Sequence, residues 1–151
     1  MRWLAVLVLL LLTGCSSLRE SAHGATAADA ATTAVGVGTG LATEVNPLIG
    51  TPMALAGVML ARLAAVEVIN AHMDEPHRTE VLASLSSLWW GMSVSNLIVL
   101  LTASTPVGLA TGAMVGLALW QSTALEREFA AICARERQSN PRLRCVFTPT
   151  T

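Results

Sequence analysis

The sequence predicts an all-α fold: a small transmembrane helical bundle of three to four spans with a C-terminal amphipathic helical tail. Three observations carry this. Of 151 residues, 53% are hydrophobic and only 13% charged, about half the charge of an ordinary soluble domain. A domain of this size has too much surface for so few charges to cover, and a bilayer is the natural second solvent. The apolar residues also fall into runs of helical length, separated by polar breaks that carry proline. Within those runs small residues recur every four positions, the spacing at which helices approach closely in lipid. The length allows one domain. A net charge of −1 leaves no basic field for nucleic acid. All nine basic residues are arginine.

The amino terminus, "MRWLAVLVLLLLTGCSS", has one positive charge at Arg2 and an apolar run from Trp3 to Leu12. That run is about half of the roughly 20 residues a span requires, and it has the length of a signal-peptide core. Leu12-Thr13-Gly14-Cys15 follows. It resembles the lipobox of bacterial lipoproteins, which implies removal of residues 1–14 and lipidation of Cys15. Residues 15–28 are small and polar and read as a lipidated tether. The bundle is then expected over 29–123 and the charged tail over 124–151.

The first bundle element is "DAATTAVGVGTGLATEVNPLIG", Asp29 to Gly50. Its residues are too small to insert by hydropathy alone. At 100° per residue, however, Asp29, Thr32, Thr33, Gly36, Gly40, Thr43 and Glu44 fall within about 60° of one line. A linker has no reason to sort its polar residues that way, so the stretch reads as a packing helix with a polar seam. Gly36 and Gly40 have the spacing for close helix approach.

Apolar runs follow at Leu48–Ile69, Leu85–Ala103 and Val107–Ser122. Ala71 to Ser84 is a polar connection with a proline, and Thr105-Pro106 marks a tight break. Ala54, Gly57, Ala61 and Ala65 line one face of the second run. Ser84, Ser87, Gly91 and Ser95 line one face of the third. Gly108, Gly112 and Gly116 repeat in the fourth. Such stripes point to a bundle held by close backbone packing. Trp89, Trp90 and Trp120 fit either headgroup level or the core. Ala124 to Gln138 is charged, with Leu125, Phe129 and Ile132 on one side, and Ser139-Asn140-Pro141 stops it.

Charges inside a span cost about 2.5–3.5 kcal/mol and find partners. Asp29 and Glu44 are fifteen residues apart, roughly 22 Å along a helix, too far to act as the paired carboxylates of a hydrolase. With a turn near residues 47–49, an antiparallel second helix brings Arg62 within reach of Asp29, and an ion pair between them is expected. Glu44 can accept N–H groups at the start of the second helix, Asn46-Pro47 helps to fix the turn, and Asn96 should hydrogen-bond across the bundle.

Asp29-x-x-Thr32-Thr33, then Gly40, then Glu44-x-Asn46-Pro47, resembles a family of small uncharacterised bacterial and archaeal membrane proteins. In that family a helix with a basic residue and a helix with Asn-Leu follow, here Arg62 and Asn96-Leu97. The resemblance covers roughly Asp29 to Leu101 and implies a helical membrane fold. The family has an apolar half-helix ahead of its Asp, where this chain has "SAHGATAA".

Other chemistry finds little support. His72 and His77 flank "MDEP", but Pro76 breaks the helix that would align them on a metal. Gly36-Val37-Gly38 does not sit between a strand and a helix, so it is no phosphate loop. No nucleophile and base occur together, and neither a metal nor a cofactor is expected. Cys133 and Cys145 would form a disulfide if the tail lies outside the cytoplasm. Four spans from a lipidated Cys15 place it there, whereas Arg127, Arg135, Arg137, Arg142 and Arg144 favour the cytoplasm. The expected role is a non-enzymatic envelope component of the bacterial inner membrane. Its expected partners are membrane lipid and either a second copy or an envelope protein. The alternative is an oligomeric ion or proton conduit lined by the seam.

Overall fold

The structure, a computed structural model, describes residues 17–40 and 51–145. Those residues form five helices and no strand: α1 (Leu18–Gly38), α2 (Pro52–His72), α3 (His77–Thr102), α4 (Thr105–Ser122) and α5 (Ala124–Ser139).

Local chemistry explains most of the boundaries. Ser17 is extended and its hydroxyl accepts the Glu20 amide at 3.2 Å, which starts α1. Residues 18–28 are therefore helical and are not the tether expected for 15–28. Small size misleads here, because Ala22 and Ala25 are fully buried and their lack of bulk is what admits a neighbouring helix. At the other end, Thr39 caps α1 and Gly40 takes φ +69°. Glycine is the residue that adopts this left-handed conformation without strain. Gly40 consequently ends the helix, and none of the described residues comes within 4 Å of where its Cβ would stand. Its expected place on the packing face with Gly36 is corrected; Gly36 itself is buried.

Thr51 caps α2 by accepting the Ala54 amide at 3.1 Å, with Pro52 in the first turn. The Glu75 carboxylate accepts the Thr79 amide at 3.3 Å near the start of α3, where a negative charge complements the helix dipole. α3 thus begins inside the connection expected to run from Ala71 to Ser84. Ala103 at φ 53° and Ser104 separate α3 from α4.

α3 is the central element, with α1 on one face and α4 on the other. Toward α1 it presents Leu82, Trp89 and Trp90, which join Ala22, Ala25 and Val66 in the core. Trp89 and Trp90 are therefore core residues, only 6% and 7% exposed. Toward α4 it presents Ser87, Gly91 and Ser95. A Cβ placed on Gly91 would stand 2.7 Å from the Gly112 carbonyl oxygen, and one on Gly108 would stand 2.8 Å from that of Ser95. One on Gly116 would meet the Ser87 oxygen at 3.1 Å. The register is antiparallel and the two backbones touch, as the small-residue stripes require.

α2 and α3 are each long and apolar enough to cross a bilayer. α2 lies against α1 and, lightly, α3, and Val66 is its one buried residue. Gly57, Ala61 and Ala65 are exposed, so the small face of α2 has no partner among the described residues.

Candidate functional site: a polar seam through α1, α2 and α3

The seam is built from α1 outward. Ser21, Ala25 and Asp29 follow one another every four residues and so share a face. The Ser21 hydroxyl lies 2.6 Å from that of Ser86 and accepts from Trp90 Nε1 at 3.2 Å. One turn along, Ser93 Oγ donates to the Ala25 carbonyl at 3.3 Å and to the Trp89 carbonyl at 2.9 Å. One turn further, the carboxylate of the buried Asp29 takes Arg62 Nη1 from α2 on one oxygen. Its other oxygen takes Asn96 Nδ2 from α3 at 3.0 Å. Asn96 also donates to Thr33 Oγ1 at 3.1 Å and lies 3.5 Å from Thr32 Oγ1. Thr32 itself turns back to the Ala28 carbonyl at 3.0 Å, the local bonding typical of threonine in a helix. The Arg62 guanidinium stands 5.3 Å from the Trp89 ring, a distance at which the ring quadrupole attracts a cation.

Asp29, Thr33, Arg62 and Asn96 thus meet at one level and tie three helices together. Such an arrangement compensates buried charge, since each ionic group has an opposite charge or an amide in contact. Cys15, Glu44 and Asn46 lie outside the described residues. A second polar cluster, not singled out by sequence reasoning, closes the same helices nearer the start of α1. Arg19 binds Glu67 at 2.9 and 2.8 Å, and His23 Nε2 is 3.0 Å from the same carboxylate. Arg19, His23, Thr26 and Asp29 recur at three- to four-residue spacing, and that was the available signal.

The start of α1, the α2–α3 connection and α5 converge at one end of the bundle. There Ser17 and Arg19 border a cavity of 530 Å³ together with Glu75, Arg78, Cys133 and Cys145. Cys133 and Cys145 are joined by a disulfide that holds the segment from Asn140 to Cys145 against α5. Burial alone would push the Glu75 carboxyl up, but bonds from Thr79 and Arg78 bring it below the usual glutamate range. Burial pushes the Glu126 carboxyl above that range. Among the described residues no group of three or more His, Cys, Asp and Glu is placed to hold a metal. His72 ends α2 and His77 starts α3.

The chain matches no protein-family model, no curated protein and no solved structure. The likeness to the small membrane-protein family therefore rests on the residues quoted for it.

Proposed function

We propose that this chain is a lipid-anchored integral membrane protein of the bacterial inner membrane, its N-terminus on the periplasmic side. In this reading it acts as a non-enzymatic structural or interaction component of the envelope. α1 to α4 form four passes, α1 entering by packing rather than by hydropathy, and α5 is the tail. The observation that carries the topology is the meeting of Ser17 and Arg19 with Cys133 and Cys145 at one end of the bundle. A lipobox cysteine is modified on the outer side, and a disulfide persists in an oxidising compartment. Both conditions hold together when the number of passes is even. The arginines of the tail pull the other way. Two of them are engaged within the protein: Arg127 stacks on Trp120, and Arg137 donates to the Leu143 carbonyl at 3.1 Å.

An association role is supported by α2, an apolar 21-residue helix with a single buried residue. Its Gly57–Ala61–Ala65 face is covered by none of the described residues. The conduit reading has less support, because both Asp29 oxygens already hold donors and a proton carrier must release its partners.

The test is a set of three measurements on cells expressing the full chain. Carbonate washing should leave the protein in the membrane pellet, and labelled palmitate should enter it but not Cys15→Ala. A photo-crosslinking residue at Ala61 should give a discrete adduct with a second copy or one envelope protein. Release by carbonate ends the membrane reading; a protein that stays monomeric under crosslinking at every α2 face ends the association reading. Proton flux in liposomes abolished by Asp29→Asn and Glu44→Gln would favour the conduit instead.

A further inference from the structure

A groove of 660 Å³ runs along the α3–α4 interface. Its floor is the line where Gly91 and Gly112 bring the two backbones together. Because that floor is made of small residues, the long side chains beside it stand up as walls: Leu88 and Met92 on α3, Leu109 and Leu117 on α4. Their exposures are 57%, 38%, 62% and 62%, so among the described residues the walls are left partly uncovered. From Ser84 to Asn96 the groove spans thirteen residues of α3, about 18 Å of helix. Below it the helices close, with a Cβ on Gly108 reaching Val99 Cγ2 at 2.5 Å and the Ser95 carbonyl oxygen at 2.8 Å.

The upper mouth is different in kind. Trp120 lines it, and the Arg127 guanidinium lies 3.6 Å from the Trp120 ring centroid. Arg127 Nη2 donates to the Trp120 carbonyl at 3.2 Å, and Nη1 stands 3.7 Å from Glu80. Its Nε–H is buried and has no acceptor among the described residues. The Arg127 side chain as a whole is 19% exposed, so an anion outside the fold can meet the guanidinium but not the buried Nε–H.

We infer that this groove holds one acyl chain of a glycerophospholipid, with the phosphate drawn to Arg127 at the mouth. The inference rests on the membrane reading proposed above. Half of a roughly 30 Å hydrocarbon core is one leaflet, and the groove is about that deep. It ends where a chain of one leaflet ends. Apolar walls exclude water, a flexible chain fills an irregular slot, and a cation at headgroup level attracts phosphate. Tryptophan at that level favours the same interface.

The experiment uses the full chain, extracted from carbonate-washed membranes in mild detergent and weighed by native mass spectrometry. The wild type should retain one phospholipid per chain. Ala113→Phe, which fills the groove from its exposed side, should lower the lipid-bound fraction roughly tenfold. Arg127→Gln should lower it roughly fivefold, the effect of one cation near the surface. Should Ala113→Phe not fold by circular dichroism, Leu117→Ala lowers a wall without adding bulk and should still reduce retention. Lipid retention equal in wild type and variants overturns the inference. So does a cysteine at Leu109 that crosslinks to a second copy, which would make the groove a protein interface. Protein released by the carbonate wash indicts the membrane reading itself, whereas protein retained in the membrane without bound lipid indicts only the groove.

Discussion

Arg62 on α2 lies 2.5 Å from the Asp29 carboxylate on α1, thirty-three residues earlier in the chain. The carboxylate's side chain is 7% exposed and the guanidinium 20%. At that burial the pair is a condition of assembly, because either partner alone would be an uncompensated charge.

Removing one partner should therefore cost more than removing both. Asp29→Leu strands Arg62 and should destabilise the protein by on the order of 3 kcal/mol, whereas Asp29→Leu with Arg62→Leu should recover most of that. Asn96→Leu loses neutral interhelical bonds only and should cost about 1 kcal/mol. Thermal unfolding in detergent ranks the three. A double variant less stable than either single would show that the pair does more than neutralise charge.

Glycine substitutions should separate stripes that pack from stripes that do not. On Gly112 a Cβ would run into the Gly91 carbonyl oxygen and, at 2.7 Å, Ser95 Cβ, whereas on Gly57 it meets nothing within 4 Å. Gly112→Ala should lower the melting temperature clearly, since the obstacle is backbone. Gly116→Ala, with its nearest atom at 3.1 Å, should do so less. Gly57→Ala should be neutral or raise stability by up to about 1 kcal/mol through helix propensity. Equal effects at the three sites would contradict the packing described for α3 and α4.

Two carboxylates outside the two span-length helices should respond to pH with opposite sign. Glu75 is held below the ordinary glutamate range, so the stability it contributes is present above that range and lost as pH falls through its folded pKa. Glu126 is held above the range, so the folded state binds the proton more tightly, and stability falls as pH rises from the ordinary range through the raised value. At pH 7, Glu75→Gln should destabilise and Glu126→Gln stabilise, each by less than about 1 kcal/mol because both groups are partly solvated. Both differences should fade in acid. The check is melting temperature against pH for the three proteins.

In the proposed membrane topology the cystine reports the side on which the tail lies. Cys133 and Cys145 should resist an impermeant maleimide on intact cells and accept it after an impermeant reductant. The bond closes a short loop, for which chain entropy gives about 3 kcal/mol, so its reduction should loosen the segment from Asn140 to Cys145 without unfolding α1 to α4. Labelling that needs permeabilised cells would place the tail in the cytoplasm and make the number of passes odd.

Read along the chain, the sequence alone determined that the fold is helical and that Asp29, Thr32, Thr33 and Gly36 lie along one side of α1. It also paired Asp29 with Arg62, because helix geometry and an antiparallel turn leave few residues level with each other. Three matters were decided only by the tertiary structure. α1 begins at Leu18 rather than Asp29, since alanine and serine look the same in sequence whether they face solvent or admit Trp89 and Trp90. The glycines of α4 pack while Gly57 does not, because a stripe of small residues permits close approach and only the neighbouring helix realises it. Last, the beginning of α1 and the cystine share one end of the bundle, a relation between residues more than a hundred positions apart that no local pattern encodes.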